Sequence, residues 1–410
     1  MKIDLPYGSK TESVEIPDRN LIAVLHPSDP GPFQDTEAEL KKACEAAAAA
    51  TGDSTRVLIL VNDYTRPTPT APILASLEPR FKDREMKILI CLGTHREPSE
   101  EELRRILGPG FFERHRCEVL CHDCHRKSGL FFKGKTRLGT EVWFNRELLW
   151  PNHIIAINSV EPHYYAGYTG GRKTLLPGLS GYDTICQNHG MVTREGSGTF
   201  ALKGNPVHED MDEAARMLLR PVFSIQLALD RFHKPCSLHF GDLFSSFEAA
   251  ARDCRRIHEV RVDETADVIL SVLQAPYDIN FYQSQRAVEF ARSALKNPAI
   301  HIAVSACRDG IGNDGFVQVL KECESPSVLL REKRTQPAAF GWHKSARLAQ
   351  IMETVDLYTV MGIPEDVVKN AFMHPFHSIQ QALDAALHRI GPDARVYVVP
   401  DAGSVVPVAS

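Results

Sequence analysis

Long apolar runs are missing from this sequence: none approaches the roughly 20 consecutive residues of a membrane-spanning helix, so no such span is expected. The opening residues, MKIDLPYGSK, hold no apolar stretch of signal-peptide type, which makes the cytoplasm the expected compartment. Surplus positive charge is missing too. With 47 Lys and Arg against 52 Asp and Glu the formal net charge is −5, and nothing supports a nucleic-acid partner, which would want a basic face. No internal repeat or heptad pattern stands out. Two nucleotide signatures fail on spacing. No G-x-G-x-x-G follows an early strand, and in GYTGGRKT the residue before Lys173 is Arg172, where a P-loop has glycine. Ten cysteines without a signal read as reduced thiols rather than a disulfide framework. Cys117, Cys121, His122, Cys124 and His125 crowd together, yet no second Cys-x-x-Cys follows. They read as strand-end residues, with a structural zinc as the alternative.

What is present is an alternation of strands and helices. A hydrophobic fraction of 43% and a charged fraction of 24% describe a soluble globular chain, and 410 residues suggest two domains. After an opening strand pair, helix 35–51 is followed by strand 56–63, helix 70–78, strand 86–93, helix 99–107, strand 117–122 and strand 153–160. Helix 207–219, strand 222–229 and helix 246–258 follow. A second alternation begins at ADVILSVLQ and runs through helix 284–296, a strand from 301, the glycine loop 309–315, helices 313–323 and 343–353, and strands VDLYTVMG and ARVYVVP. The pattern predicts an α/β fold with two α/β domains, 1–260 and 261–410, built on mainly parallel sheets.

Sheets of this kind collect ligands beyond the carboxyl ends of their strands. Asp63 and Arg66 follow the first strand of the alternation, Thr94-His95-Arg96 the second, and Glu161 to His163 the strand at 153–160, so three loops share one predicted rim. Each of His95, His163 and His189 alone reads as a satisfied histidine at an element end. Together on one rim with Asp63 and Arg66 they point to proton transfer or metal binding. The glycines of 161–191 let backbone N–H groups turn toward an anion, with Arg172 beside them. Lys173, behind two glycines and ahead of TLLPGL, reads as partly buried and therefore as a lysine with a functional pKa, against the alternative of a solvated side chain. Arg66 suits a carboxylate through its planar fork, with a simple turn as the alternative. In the second half, Asp278 or Asn280 reads as a helix cap.

Taken together, these motifs resemble those of the lactate racemase family that uses a nickel-pincer nucleotide: DYTRP, GTHR, PHYYAGYTGGRK, PGLSG, NH at 188–189 and YDINFYQ. The resemblance spans most of the chain, and its central stretch is the specific part. It implies α/β domains facing each other across an active-site cleft and a pyridinium mononucleotide carrying nickel. On that resemblance Lys173 tethers the nucleotide through a thioamide, with Thr169, Gly170, Gly171 and Arg172 around it. His189 is the protein ligand to nickel, the remaining donors being two sulfurs and a ring carbon of the cofactor. His95 and His163 are the paired acid and base, supported by Asp63, while Arg66, Tyr282 and Gln283 attend the substrate.

The implied activity is racemisation or epimerisation at C2 of a 2-hydroxy acid, by hydride transfer to and from the tethered cofactor. Cofactor-biosynthesis proteins are the implied partners, and a homo-oligomer is compatible. One position departs from the pattern: Arg286 stands where the family's lactate racemases have a substrate-contacting lysine. A guanidinium there points to a different carboxylate geometry or a larger substrate. A free-NAD(P) 2-hydroxy acid dehydrogenase and a non-catalytic nucleotide- or nickel-binding protein are the competing readings.

Overall fold

All eight residues of the strand His153–Val160 are buried, as a central parallel strand covered on both faces requires. It lies in a computed structural model that describes every residue except 29, 32, 34, 313 and 332–340. The chain divides into two compact units, Asp29–Ile257 and Met1–Ser28 together with His258–Ser410.

The sheet of the first unit has six strands: β1 (Arg56–Asn62), β2 (Glu85–Cys91), β3 (Val119–Cys121), β4 (His153–Val160), β5 (Val222–Leu229) and β6 (Pro235–Asp242). Their order is β6-β5-β4-β1-β2-β3, parallel except for the β5/β6 pair, an antiparallel edge that the sequence reading did not include. The chain runs outward from β1 through β2 to β3, then returns to β4 and continues the other way. Strand order thus reverses between β1 and β4, which is where sheets of this class open a crevice. Ile59, Val61, Ile88, Ile90 and Ile225 pack against Ala43 and Ala47 of helix α1 (Thr36–Ala50) and Ile73 and Leu77 of α2 (Thr70–Leu77). Asp35 opens α1 by accepting from the Ala38 N–H, and Ser99 and Glu102 form a capping box on α3 (Glu100–Leu107).

Strand β3 is shorter than expected because 116–118 form a 3-10 turn. Beside it, His122 is held through both ring nitrogens, by Ser180 O and by the Asn145 side chain. Among the described residues no group of three His, Cys, Asp or Glu is placed to hold a metal ion, so the zinc alternative has no support. Nor is any described helix long and apolar enough to cross a membrane.

Helices α4 (Tyr182–His189), α5 (Pro206–Arg216) and α6 (Leu243–His258) lie further along the chain. Asn205 caps α5, its side chain accepting from the Val207 and His208 N–H groups ahead of a helix with proline at its first turn.

The second unit holds β7 (Ala266–Val272), β8 (Leu295–Ser305), β9 (Val355–Met361) and β10 (Val396–Val399), with His374–Pro375 beyond β9 and Leu21–Val24 beyond β10, all parallel. The expected division put residues 1–28 with the first half; they pack with the second. The reason is apolar burial. The hairpin Lys2–Tyr7/Lys10–Glu15 buries Ile3, Leu5, Val14 and Ile16 against valines of β7, β8 and β10, and Leu21–Val24 extends the sheet edge.

Helix 284–296 was expected late by several residues: α7 is Phe281–Ala291, started by the Asn280 cap, and β8 already begins at Leu295. The helix expected at 313–323 is Asp314–Lys321, with residue 313 outside the described residues. Helices α8 (Trp342–Met352) and α9 (Ile379–Ile390) follow, the latter not expected from the sequence.

Candidate active site

Asp63, the first residue after β1, is 4% exposed and sits at the reversal of strand order. Its Oδ1 accepts from the Thr65 backbone N–H and hydroxyl, and its Oδ2 lies 2.6 Å from His95 Nδ1. Burial alone would raise this carboxyl, but His95, Arg66 and Thr65 together outweigh it and hold Asp63 below the ordinary aspartate range. An ionised carboxylate can only accept, so Nδ1 of His95 carries the proton and Nε2 keeps the lone pair. That is a base held in register by its partner.

The His95 loop is itself anchored, because the Gly93 N–H donates to Gly178 O across 3.1 Å. Gly178 tolerates no side chain: a Cβ there would lie 2.3 Å from Thr174 O and 3.0 Å from Cys91 Cβ. Gly178→Ala is therefore expected to destabilise the protein by about 2 to 3 kcal/mol, read as a lowered denaturant midpoint. An unchanged midpoint would show that the turn relaxes freely.

Beyond β4, Glu161 Oε2 stands 3.7 Å from Arg66 Nη1. Pro162–His163 pairs antiparallel with Ala166–Tyr168, and the Ala166 N–H approaches His163 Nδ1 at 3.4 Å. Nδ1 of His163 is thus an acceptor, the opposite of His95. The Tyr165 ring meets three candidate residues. It lies edge-on to His163 (4.4 Å between centroids) and to His189 (5.2 Å), with Lys173 Nζ 5.6 Å above it. Tyr164 stacks on His163 at 5.1 Å and is itself edge-on to Tyr165 at 4.9 Å. Nothing in the spacing of these tyrosines marks Tyr165 as the common neighbour.

Thr169 to Arg172 build the turn that presents Lys173. Thr169 bonds Glu161 N–H and Ser159 O through its hydroxyl. The Gly171 N–H donates to Gln226 Oε1, and a Cβ on Gly171, at φ 52°, would lie 2.5 Å from the Phe247 ring. Arg172 is 1% exposed, donates to Ala166 O and Gly170 O, and lies over Phe247 at 4.4 Å. These groups hold the loop itself. Lys173 keeps some accessible surface, but its ammonium is enclosed: burial first, then the Arg66 and Arg172 charges, hold it well below lysine's ordinary value. His189 closes α4, buried, with Nδ1 3.2 Å from Asn188 Oδ1.

The remaining candidates belong to the second unit, on α7. Tyr282 is partly buried, and the enclosure of its hydroxyl raises the phenol. The Gln283 N–H is capped by Asn280. Arg286 is buried, donates from Nε to Gly403 O and lies over the rings of Tyr277 and Phe290 at 4.2 and 4.8 Å. Lys344 of α8, which the sequence reading passed over, places its ammonium 3.6 Å from the centre of the Tyr282 ring and donates to Tyr282 O.

Family models described as the lactate racemase N-terminal domain and the lactate racemase C-terminal domain match residues 7–199 and 262–407. The chain is similar to the lactate racemase of Thermoanaerobacterium thermosaccharolyticum, 27% identical with 98% of each chain covered. It is also similar to that of Lactiplantibacillus plantarum, 25% identical with 98% of this chain and 99% of the relative covered. Among solved structures, the lactate racemase apoprotein from Thermoanaerobacterium thermosaccharolyticum superposes with a TM-score of 0.89 at 25% identity, covering 99% of this chain and 100% of the other. A Thermotoga maritima protein superposes with a TM-score of 0.72 at 17% identity, over 94% and 100%, a likeness of fold alone.

Proposed function

Because this chain belongs to the lactate racemase family and is a racemase, we propose that it inverts C2 of a 2-hydroxy acid using a nickel-pincer nucleotide tethered at Lys173. The residues present fit that group. Lys173 offers an amine kept toward its neutral, nucleophilic form, as bond formation with a thio-acid carbon requires. His189 donates from Nδ1 to Asn188 Oδ1, which leaves Nε2 as the ring atom able to bind a metal. When bound, the nucleotide would supply the two-electron acceptor that takes the C2 hydrogen and returns it.

The chain's own side chains do the rest. Arg66 holds the substrate carboxylate through its planar fork. His95 takes the hydroxyl proton at Nε2, and the Asp63 carboxylate stabilises the imidazolium that results. His163 serves the opposite face, giving its Nε2 proton to the oxygen when C2 is rebuilt with the other hand; His95 then returns its proton to solvent, from which His163 is reprotonated. Tyr282, Gln283 and Arg286 are assigned to the substrate on their motif alone. Cofactor-biosynthesis proteins would load the site, so protein from a host lacking them is expected to be inactive.

The observation that carries this reading is the convergence of His163, His189 and Lys173 on the Tyr165 ring. It is tested by intact mass and metal analysis of protein coexpressed with a pincer-cofactor pathway. We expect a covalent mass increment that Lys173→Ala abolishes, and nickel that is lost on His189→Ala. Absence of both under conditions that load a relative would sink the tether and ligand assignments and favour a binding protein.

A further inference from the structure

Behind His189 lies a chain of buried polar groups that the reaction does not use. The Asn188 amide nitrogen donates twice, to Val207 O at 3.1 Å and to Asp210 Oδ2 at 2.8 Å. With both protons engaged, the amide cannot turn over without losing both bonds, so Oδ1 is the atom that faces His189 Nδ1. Asp210, fully buried on α5, is fixed in turn. Its Oδ1 accepts from the Thr136 hydroxyl and its Oδ2 from the Thr140 hydroxyl at 2.8 Å, while Thr136 Oγ1 accepts from the Thr140 N–H at 3.1 Å.

We propose that Asp210 is a positioning residue: through Asn188 it fixes the proton of His189 on Nδ1, so that Nε2 is the atom offered to the metal. The inference rests on the reading of His189 as the nickel ligand. An amide oxygen accepts and never donates, so a ring facing it must present N–H from Nδ1 and keep its lone pair on the other nitrogen. Outer groups of this kind set the orientation and tautomer of ligating histidines, and their loss typically costs about 10- to 100-fold in metal affinity.

The test begins with the cofactor-free full-length protein carrying isotope-labelled histidine, at a pH where the ring is neutral. Long-range proton–nitrogen NMR correlations report which nitrogen is protonated, with the His189 signals identified by their loss in His189→Gln. Wild type is expected to show Nδ1–H almost alone, and Asp210→Asn, which still accepts from Asn188, the same. Asp210→Leu is expected to move a substantial share of the proton to Nε2. Should Asp210→Leu fail to fold, Asn188→Ala removes the amide oxygen that Asp210 holds toward Nδ1 and is expected to give the same redistribution. A wild-type ring protonated on Nε2, or a folded Asp210→Leu or Asn188→Ala protein with Nδ1–H unchanged, overturns the proposal.

In cofactor-loaded protein, nickel affinity of Asp210→Leu is expected to fall by about 10- to 100-fold. Wild type that shows Nδ1–H and yet takes up no nickel would instead overturn the metal reading, while Asp210's hold on the ring would stand.

Discussion

Asparagine in place of Asp63 is expected to lower kcat by about a thousandfold to ten-thousandfold, with fold and nickel content retained. The loss follows from hydrogen-bond polarity. Two donors from Thr65 meet Oδ1, so an asparagine would keep its oxygen there and turn its NH2 toward His95. Nδ1 of His95 would then have to accept, the proton would move to Nε2, and the base would lose the lone pair it uses. Steady-state rates with both enantiomers, beside metal analysis, check this. A kcat within about tenfold of wild type would remove Asp63 from the proton-transfer machinery.

The same substitution has a stability signature. Because the folded Asp63 carboxyl lies below its unfolded value, it contributes stability above roughly pH 3.9 that is lost as pH falls through the folded value. The asparagine protein should lack that acid-side loss.

Lys344→Met is expected to stabilise the protein at neutral pH by about 3 to 4 kcal/mol. Burial lowers this lysine from 10.5 to about 7, with the Glu289 charge opposing in part. The folded state therefore disfavours the charged form. The penalty is fully present below about pH 7 and disappears as pH rises toward 10.5. Taken whole, that shift corresponds to about 5 kcal/mol, from which the lost bond to Tyr282 O and the contact with its ring subtract about 1 to 2 kcal/mol. Methionine also fills an irregular buried space well. The neighbouring Arg347–Glu289 pair, at 2.9 and 3.1 Å, is left intact. Denaturation of both proteins at neutral and strongly alkaline pH separates the effects: the gain should shrink as pH rises. A gain that does not change with pH would mean the lysine is not the source.

The rim of the site was legible because its residues follow strands. Asp63, His95 and His163 each come directly after an apolar run, and an alternating pattern with that placement leaves few topologies in which they do not share an edge. The reversal of strand order between β1 and β4 was not legible, since period and propensity say nothing of which strands become neighbours. Arg172 illustrates a second limit. In sequence it belongs to a glycine-rich, cationic stretch suited to an anion; that Nη1 and Nη2 bond Gly170 O and Ala166 O depends on how the loop folds back. Asp210 and Lys344 sit on helices whose polar residues ordinarily face solvent; their burial depends on what the tertiary fold packs over them. Tyr165 acquires its place from three residues spread over more than one turn of chain, which only the folded loop brings together.

The pairing of Leu21–Val24 with Val396–Val399 joins the beginning of the chain to nearly its end. During ribosomal synthesis the opening hairpin and its following strand emerge long before β7 to β10 exist to receive them. Residues Asp29–Ile257 can gather their own core in the interval, so that unit has the earlier opportunity to mature. The leading segment meets its apolar neighbours on β7 and β8 only after that unit has been made, and Leu21–Val24 its own partner only when β10 is released. Its arrival then covers the edge of β10, a row of backbone groups otherwise open to pairing with another nascent chain.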